Sequence, residues 1–128
     1  MIPAVLDEEQ VRDQVAAAEE LAHLGHDYPA AVAAGAAIEA SLRLRSGSSA
    51  SAEEMLDHLW HQGAVADLEH ERLRRTVAVG EQLTHGFVPR DSVAASPERV
   101  RAALEVAIRL LEDVPAAAAA RDDARGQS

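Results

Sequence analysis

The chain has 128 residues, a formal charge of −10, no cysteine, and 12 basic residues that are all arginine. That length suits one domain burying roughly two-thirds of its unfolded surface, and the acidic balance argues against broad, non-specific attraction to nucleic acid. The missing cysteines exclude a disulfide framework, a thiolate metal site and a cysteine nucleophile. Hydrophobic residues make up 48% of the chain, with alanine the commonest, and only Tyr28, Trp60 and Phe87 are aromatic. Alanine is the best helix former and a poor strand former, so the composition predicts an all-α protein with closely packed helices.

In chain order, Asp7-Glu8-Glu9-Gln10 supplies an N-cap and acids suited to the positive end of a helix dipole. Val11, Val15, Ala18, Leu21, Ala22 and Leu24 then recur at helical spacing up to Gly25. Gly25 to Pro29 reads as a turn, with Asp27 as cap and Pro29 inside the first turn of a second helix that extends to about Arg45. This helix is apolar almost all round through residues 30–37, which predicts a central position. Ser46 to Ser51 reads as a flexible connector, and Ser51-Ala52-Glu53-Glu54 as a capping box that opens a short helix ending at Gly63.

A third main helix spans about Ala66 to Thr84, with Leu68, Leu73, Val77, Gly80, Leu83 and Phe87 as its apolar face and Gly86 as its stop. After a loop from Phe87 to Ser92, Ser96-Pro97 caps and opens a fourth helix carrying Val100, Leu104, Ala107, Ile108 and Leu111. That helix is expected to stop before Pro115, leaving an alanine-rich extension and then a disordered tail over residues 115–128.

Four main helices, with one short extra helix between the second and third, predict an up-and-down bundle forming a single domain over residues 1–114. A core of alanine, valine and leucine buries little area per residue, so one protomer has modest stability and an apolar face to spare. Gly80 lies inside a helix, where glycine costs about 1 kcal/mol relative to alanine. It therefore marks a close backbone approach, with Gly35 of the second helix as the expected partner. The N-terminus lacks the basic and apolar regions of a signal peptide, and no run approaches the roughly 18 apolar residues of a membrane span. A cytoplasmic setting without membrane attachment is expected.

The run from Leu73 to Gly86 delivers His85 to a glycine stop, and upstream lies Gly35-Ala36-Ala37-Ile38-Glu39-Ala40-Ser41-Leu42-Arg43. With the Gly25-His26-Asp27-Tyr28 entry, the Leu56 to Gly63 segment and the final leucine-rich helix, this order resembles the HEPN family of small helical ribonuclease and nucleotide-associated domains. The resemblance spans about Glu19 to Glu112. It implies a dimer in which arginine–histidine motifs of two protomers meet across a cleft and, in active members, cut RNA without a metal. His85 would then be the general acid or base.

This chain departs from the family pattern. Four to six residues separate arginine from histidine there, and the positions that would hold the arginine are Gly80, Val79 and Ala78. Glu81 stands where asparagine commonly follows that arginine. Cleavage through the 2′-hydroxyl needs both a proton acceptor and stabilisation of charge on the phosphorane, and arginine supplies a fixed fork for phosphate. A carboxylate repels it. Glu81 and His85 are four apart on one helix face, so an ion pair between them is expected. Arg74 lies on the same stripe but about 16 Å away along the helix, within reach only of a partner protomer.

Other candidates are weaker. Glu39, in an otherwise apolar stretch, needs either solvent or a cation such as Arg43. Arg72, Arg74 and Arg75 form a local basic strip with Arg75 a further binding candidate, and Leu83 and Phe87 are the interface candidates. The His23/His26 and His58/His61 pairs have ligand-like spacing but read as solvated helix faces, so no metal or cofactor is expected. Trp60 reads as an anchor for the short helix, and Ser48, Ser49 and Ser51 lack a base nearby in sequence. The preferred reading is a non-catalytic, homodimeric binding or regulatory module of a toxin–antitoxin or defence system, with a nucleotidyltransferase-like or other defence protein as partner and RNA or nucleotide disfavoured. The alternative is a toxin-like, metal-independent endoribonuclease in which His85 works with an arginine supplied in trans. A third is a plain helical scaffold.

Overall fold

The computed structural model describes residues 7–46, 50–87 and 95–126, with side chains as far as residue 112. Five helices follow one another: α1 (Glu8–His23), α2 (Asp27–Ser46), α3 (Ala52–His61), α4 (Asp67–Thr84) and α5 (Pro97–Gly126). The described residues contain no strand, so the all-α expectation holds. Helix α2 packs against each of the other four helices. Its residues Ala30, Ala31, Ala34 and Ala37 are buried, as an almost wholly apolar helix requires.

Local chemistry sets the helix ends. Asp7 and Gln10 close a reciprocal capping box at α1, with bonds of 2.8 and 2.9 Å. Ser51 accepts from the Glu54 amide at α3, and Pro97 is the first residue of α5 behind the cap Ser96. At the end of α4, Gly86 takes φ 85°, the left-handed region open to glycine. There the Phe87 amide reaches back to the Gln82 carbonyl (2.8 Å) and the Gly86 amide to Leu83 (3.1 Å), which together satisfy carbonyls the helix end would leave bare. The same pair of bonds ends α1 at Gly25 and α3 at Gly63.

The expected glycine crossing is present. A Cβ placed on Gly80 would lie 3.1 Å from the Ala31 carbonyl oxygen and 3.5 Å from the Gly35 Cα, so α2 and α4 touch backbone to backbone. Gly35 in turn faces Thr76 and Val77, so residue numbers rise along α2 as they fall along α4.

Three expectations require correction. Helix α5 does not stop before Pro115 but continues to Gly126. Proline forfeits one backbone bond, yet the alanine run after it has the highest helix propensity available. Leu68 is not on the buried face of α4 but 60% exposed. It lies five residues before Leu73, well round the helix at 3.6 residues per turn, and His70 continues the buried stripe instead. Phe87, placed on the same face, is 67% exposed because the helical period ends at Gly86. The middle of the serine-rich connector, with Ser48 and Ser49, and most of the loop after Phe87 lie outside the described residues. No described helix is long and apolar enough to cross a membrane.

Candidate functional site

The last turn of α4 places His85 at the helix C-cap, exposed, its backbone amide bonded to the Glu81 carbonyl at 3.1 Å. Close contact of α2 with α4 leaves a shallow groove beside it, floored by Val32 and Gly80 and edged by Glu39, Glu81, Thr84 and His85. The sequence places Glu81 and His85 on one helix face, and the fold brings Glu39 of α2 beside them. The groove holds about 210 Å³, less than the roughly 300 Å³ at which small-molecule sites begin. The Thr84 hydroxyl is already committed to the Gly80 carbonyl at 2.8 Å.

The charges around the imidazole are the wrong sign for an anion. Glu39 and Glu81 both line the groove, and no arginine does. The expected ion pair between Glu81 and His85 does not form among the described residues. Both side chains are exposed and free to take up other rotamers, so spacing alone does not join them.

The three candidate arginines have partners of their own. Arg43 binds Glu39 at 2.8 Å and donates to the Ala50 carbonyl at 3.1 Å, tying the end of α2 to the start of α3. This is the cation that Glu39 needed. Arg74 forks onto Glu71, both contacts from Nη2 being 2.9 Å, and Arg75 reaches the same carboxylate at 2.6 Å. The hydrogen bond from Arg74, then that from Arg75, holds the Glu71 carboxyl below the usual glutamate range. Arg74 lines a different groove, beside Ser51, Leu56 and Glu81. Of the two interface candidates, Leu83 packs on the core cluster around Ala30, Ala34 and Val79, and Phe87 stands free of it.

A second polar cluster went unnoticed in the sequence. His70 of α4, 9% exposed, meets Asp57 of α3 at 2.8 Å through Nε2. Trp60 stacks on the His70 ring at 4.4 Å and on His61 at 5.5 Å, while its Nε1 donates to Asp67 at 2.7 Å. Trp60 thus anchors α3 through its contacts with α4. One residue before His70, Glu69 binds Arg109 of α5 and caps its own helix by accepting from the Ala66 amide. The Arg109 hydrogen bond is the main cause of the lowered Glu69 pKa. No local pattern announces contacts made 13 or 40 residues apart.

Among the described residues, no group of three or more histidine, aspartate or glutamate side chains could hold a metal ion. Comparison with protein-family models, with characterised proteins and with solved structures returns no significant match.

Proposed function

We propose that this protein is a non-catalytic, HEPN-like helical module that works by self-association and protein contact. The observation that carries this reading is the groove at His85, which offers two carboxylates and no guanidinium. A scissile phosphate placed there would be repelled by Glu39 and Glu81, with nothing to stabilise charge as it developed. Arg74, Arg75 and Arg43 are engaged with Glu71 and Glu39. We read the principal helices α1, α2, α4 and α5 as an up-and-down bundle and the chain as a homodimer or a regulatory partner of a toxin–antitoxin or defence protein.

Exposed apolar side chains support the self-association part of the reading. Tyr28 begins α2 and Phe87 follows α4, and the opposed directions of these helices put both at one end of the molecule, with Leu24 in the adjoining turn. The three are 41%, 67% and 61% exposed. Phe87→Asp is expected to lower the solution mass measured by light scattering from dimer to monomer, and an unchanged mass counts against dimerisation through this end. Incubation with an unstructured RNA in the absence of metal tests the catalytic question. No turnover is expected; turnover abolished by both His85→Ala and Arg74→Ala would replace this reading with the ribonuclease acting in trans.

A further inference from the structure

We propose that the groove between α4 and the first turns of α5 binds a small phosphate-bearing anion. Arg72 and Arg75 line it from α4 and Arg99 from α5, with Glu71 and Glu98 the acids present. Three guanidinium groups thus stand against two carboxylates, and only Arg75 among the three is paired with one of them, Glu71. This is a local positive surplus on a chain whose net charge is −10. Arg72 and Arg99 have no side-chain ion pair among the described residues, so their forks are available.

The groove also has the right size and walls. It holds about 400 Å³, within the roughly 300–1,000 Å³ of small-ligand sites, whereas the other two grooves described hold about 290 and 210 Å³. Leu68, 60% exposed, and Ala102 give it an apolar side. A phosphate presents several acceptor oxygens, and guanidinium groups approaching from two helices satisfy them as paired, charge-assisted bonds. An organic body attached to the phosphate would cover Leu68. A long polyanion is the poorer occupant: charge is screened over about 8 Å at physiological salt, so nucleic acid leaving the groove meets the acidic remainder of the surface.

The test is a titration of the isotope-labelled full chain, followed by amide shifts, with inorganic phosphate and with phenyl phosphate as probes. Saturable shifts confined to residues 68–76 and 98–102 are expected. Tighter binding of phenyl phosphate assigns the site to a phosphorylated organic molecule, and equal binding assigns it to free phosphate. Arg72→Gln with Arg99→Gln is expected to weaken binding about tenfold or more, the scale of lost hydrogen bonds to charge, and Arg12→Gln to leave it unchanged. Matching thermal melts show that the variants remain folded. The proposal is overturned by shifts that do not saturate, by binding indifferent to the double substitution, or by a single-stranded RNA that occupies the same amides more tightly than phenyl phosphate.

Discussion

The two halves of the core solve the same packing problem with opposite materials. One half joins α1 and the start of α2 mainly through Ala18, Ala22, Ala30, Ala31, Ala34 and Ala37, with Val79 of α4 and Val100 and Leu104 of α5 against them. The other gathers Ile38, Leu42, Met55, Leu56, Leu59, Leu73 and Leu110, where α3 lies over α2 and α4, and α5 adds its own leucine. The first half is stabilised by proximity, small side chains letting backbones touch as at Gly35 and Gly80. The second is stabilised by volume. Interiors are packed near crystal density, so each half has its own intolerance: one cannot grow and the other cannot shrink.

Substitutions can break that contrast cleanly. The largest loss is expected from Leu73→Ala, about 3–4 kcal/mol by urea denaturation, because this fully buried side chain would leave a cavity among its branched neighbours. Gly80→Leu comes next, at about 3 kcal/mol, since its added atoms would start 3.1 Å from a backbone oxygen that yields only if α2 moves. A loss below about 0.5 kcal/mol in either variant would erase the distinction between the two halves. Gly35→Ala sharpens it: its Cβ meets backbone no nearer than 3.5 Å, so the gain in helix propensity is expected to leave stability level or raise it by up to about 1 kcal/mol.

The smallest effect concerns acid. Glu69 and Glu71 have lowered pKa values in the folded chain, the first through Arg109 and the second through Arg74 and Arg75. A lowered folded pKa contributes stability that is complete above the ordinary glutamate value of about 4.3 and is lost as pH falls through the folded value. Glu69 bridges α4 and α5, and Glu71 only holds its own helix. Glu69→Gln is therefore expected to flatten the melting curve against pH below about 4.3 more than Glu71→Gln does, because solvent screens the exposed Glu71 pair. Equal flattening by the two would show that the bridge between helices adds nothing.

Features written in adjacent residues were legible in the sequence. The glycine stops at Gly25, Gly63 and Gly86 follow from a backbone conformation other residues resist, and the Gly35–Gly80 contact from the cost of glycine inside a helix. Glu39 was open between solvent and a cation such as Arg43, and the structure gives it both, a half-exposed pair with Arg43. What sequence did not disclose was set by rotamers or by distant parts of the chain. Helical spacing brought Glu81 near His85 without making them a pair. Asp57 meets His70, and Arg99 comes beside Arg72, only because α3 and α5 fold back on α4. Leu68 was misplaced because an apolar side chain was assumed to face inward, while the buried position belonged to a histidine.

The stacking of Trp60 on His70 has a practical consequence. This indole is the only one in the chain, and it sits where the short helix meets the bundle. Its emission spectrum is thus a gauge of α3 attachment: the ring is 38% exposed, and detachment would take away its stack on His70 and shift its light to longer wavelength, while circular dichroism still recorded the four longer helices intact. A spectral change preceding the loss of ellipticity would identify α3 as the piece that lets go first.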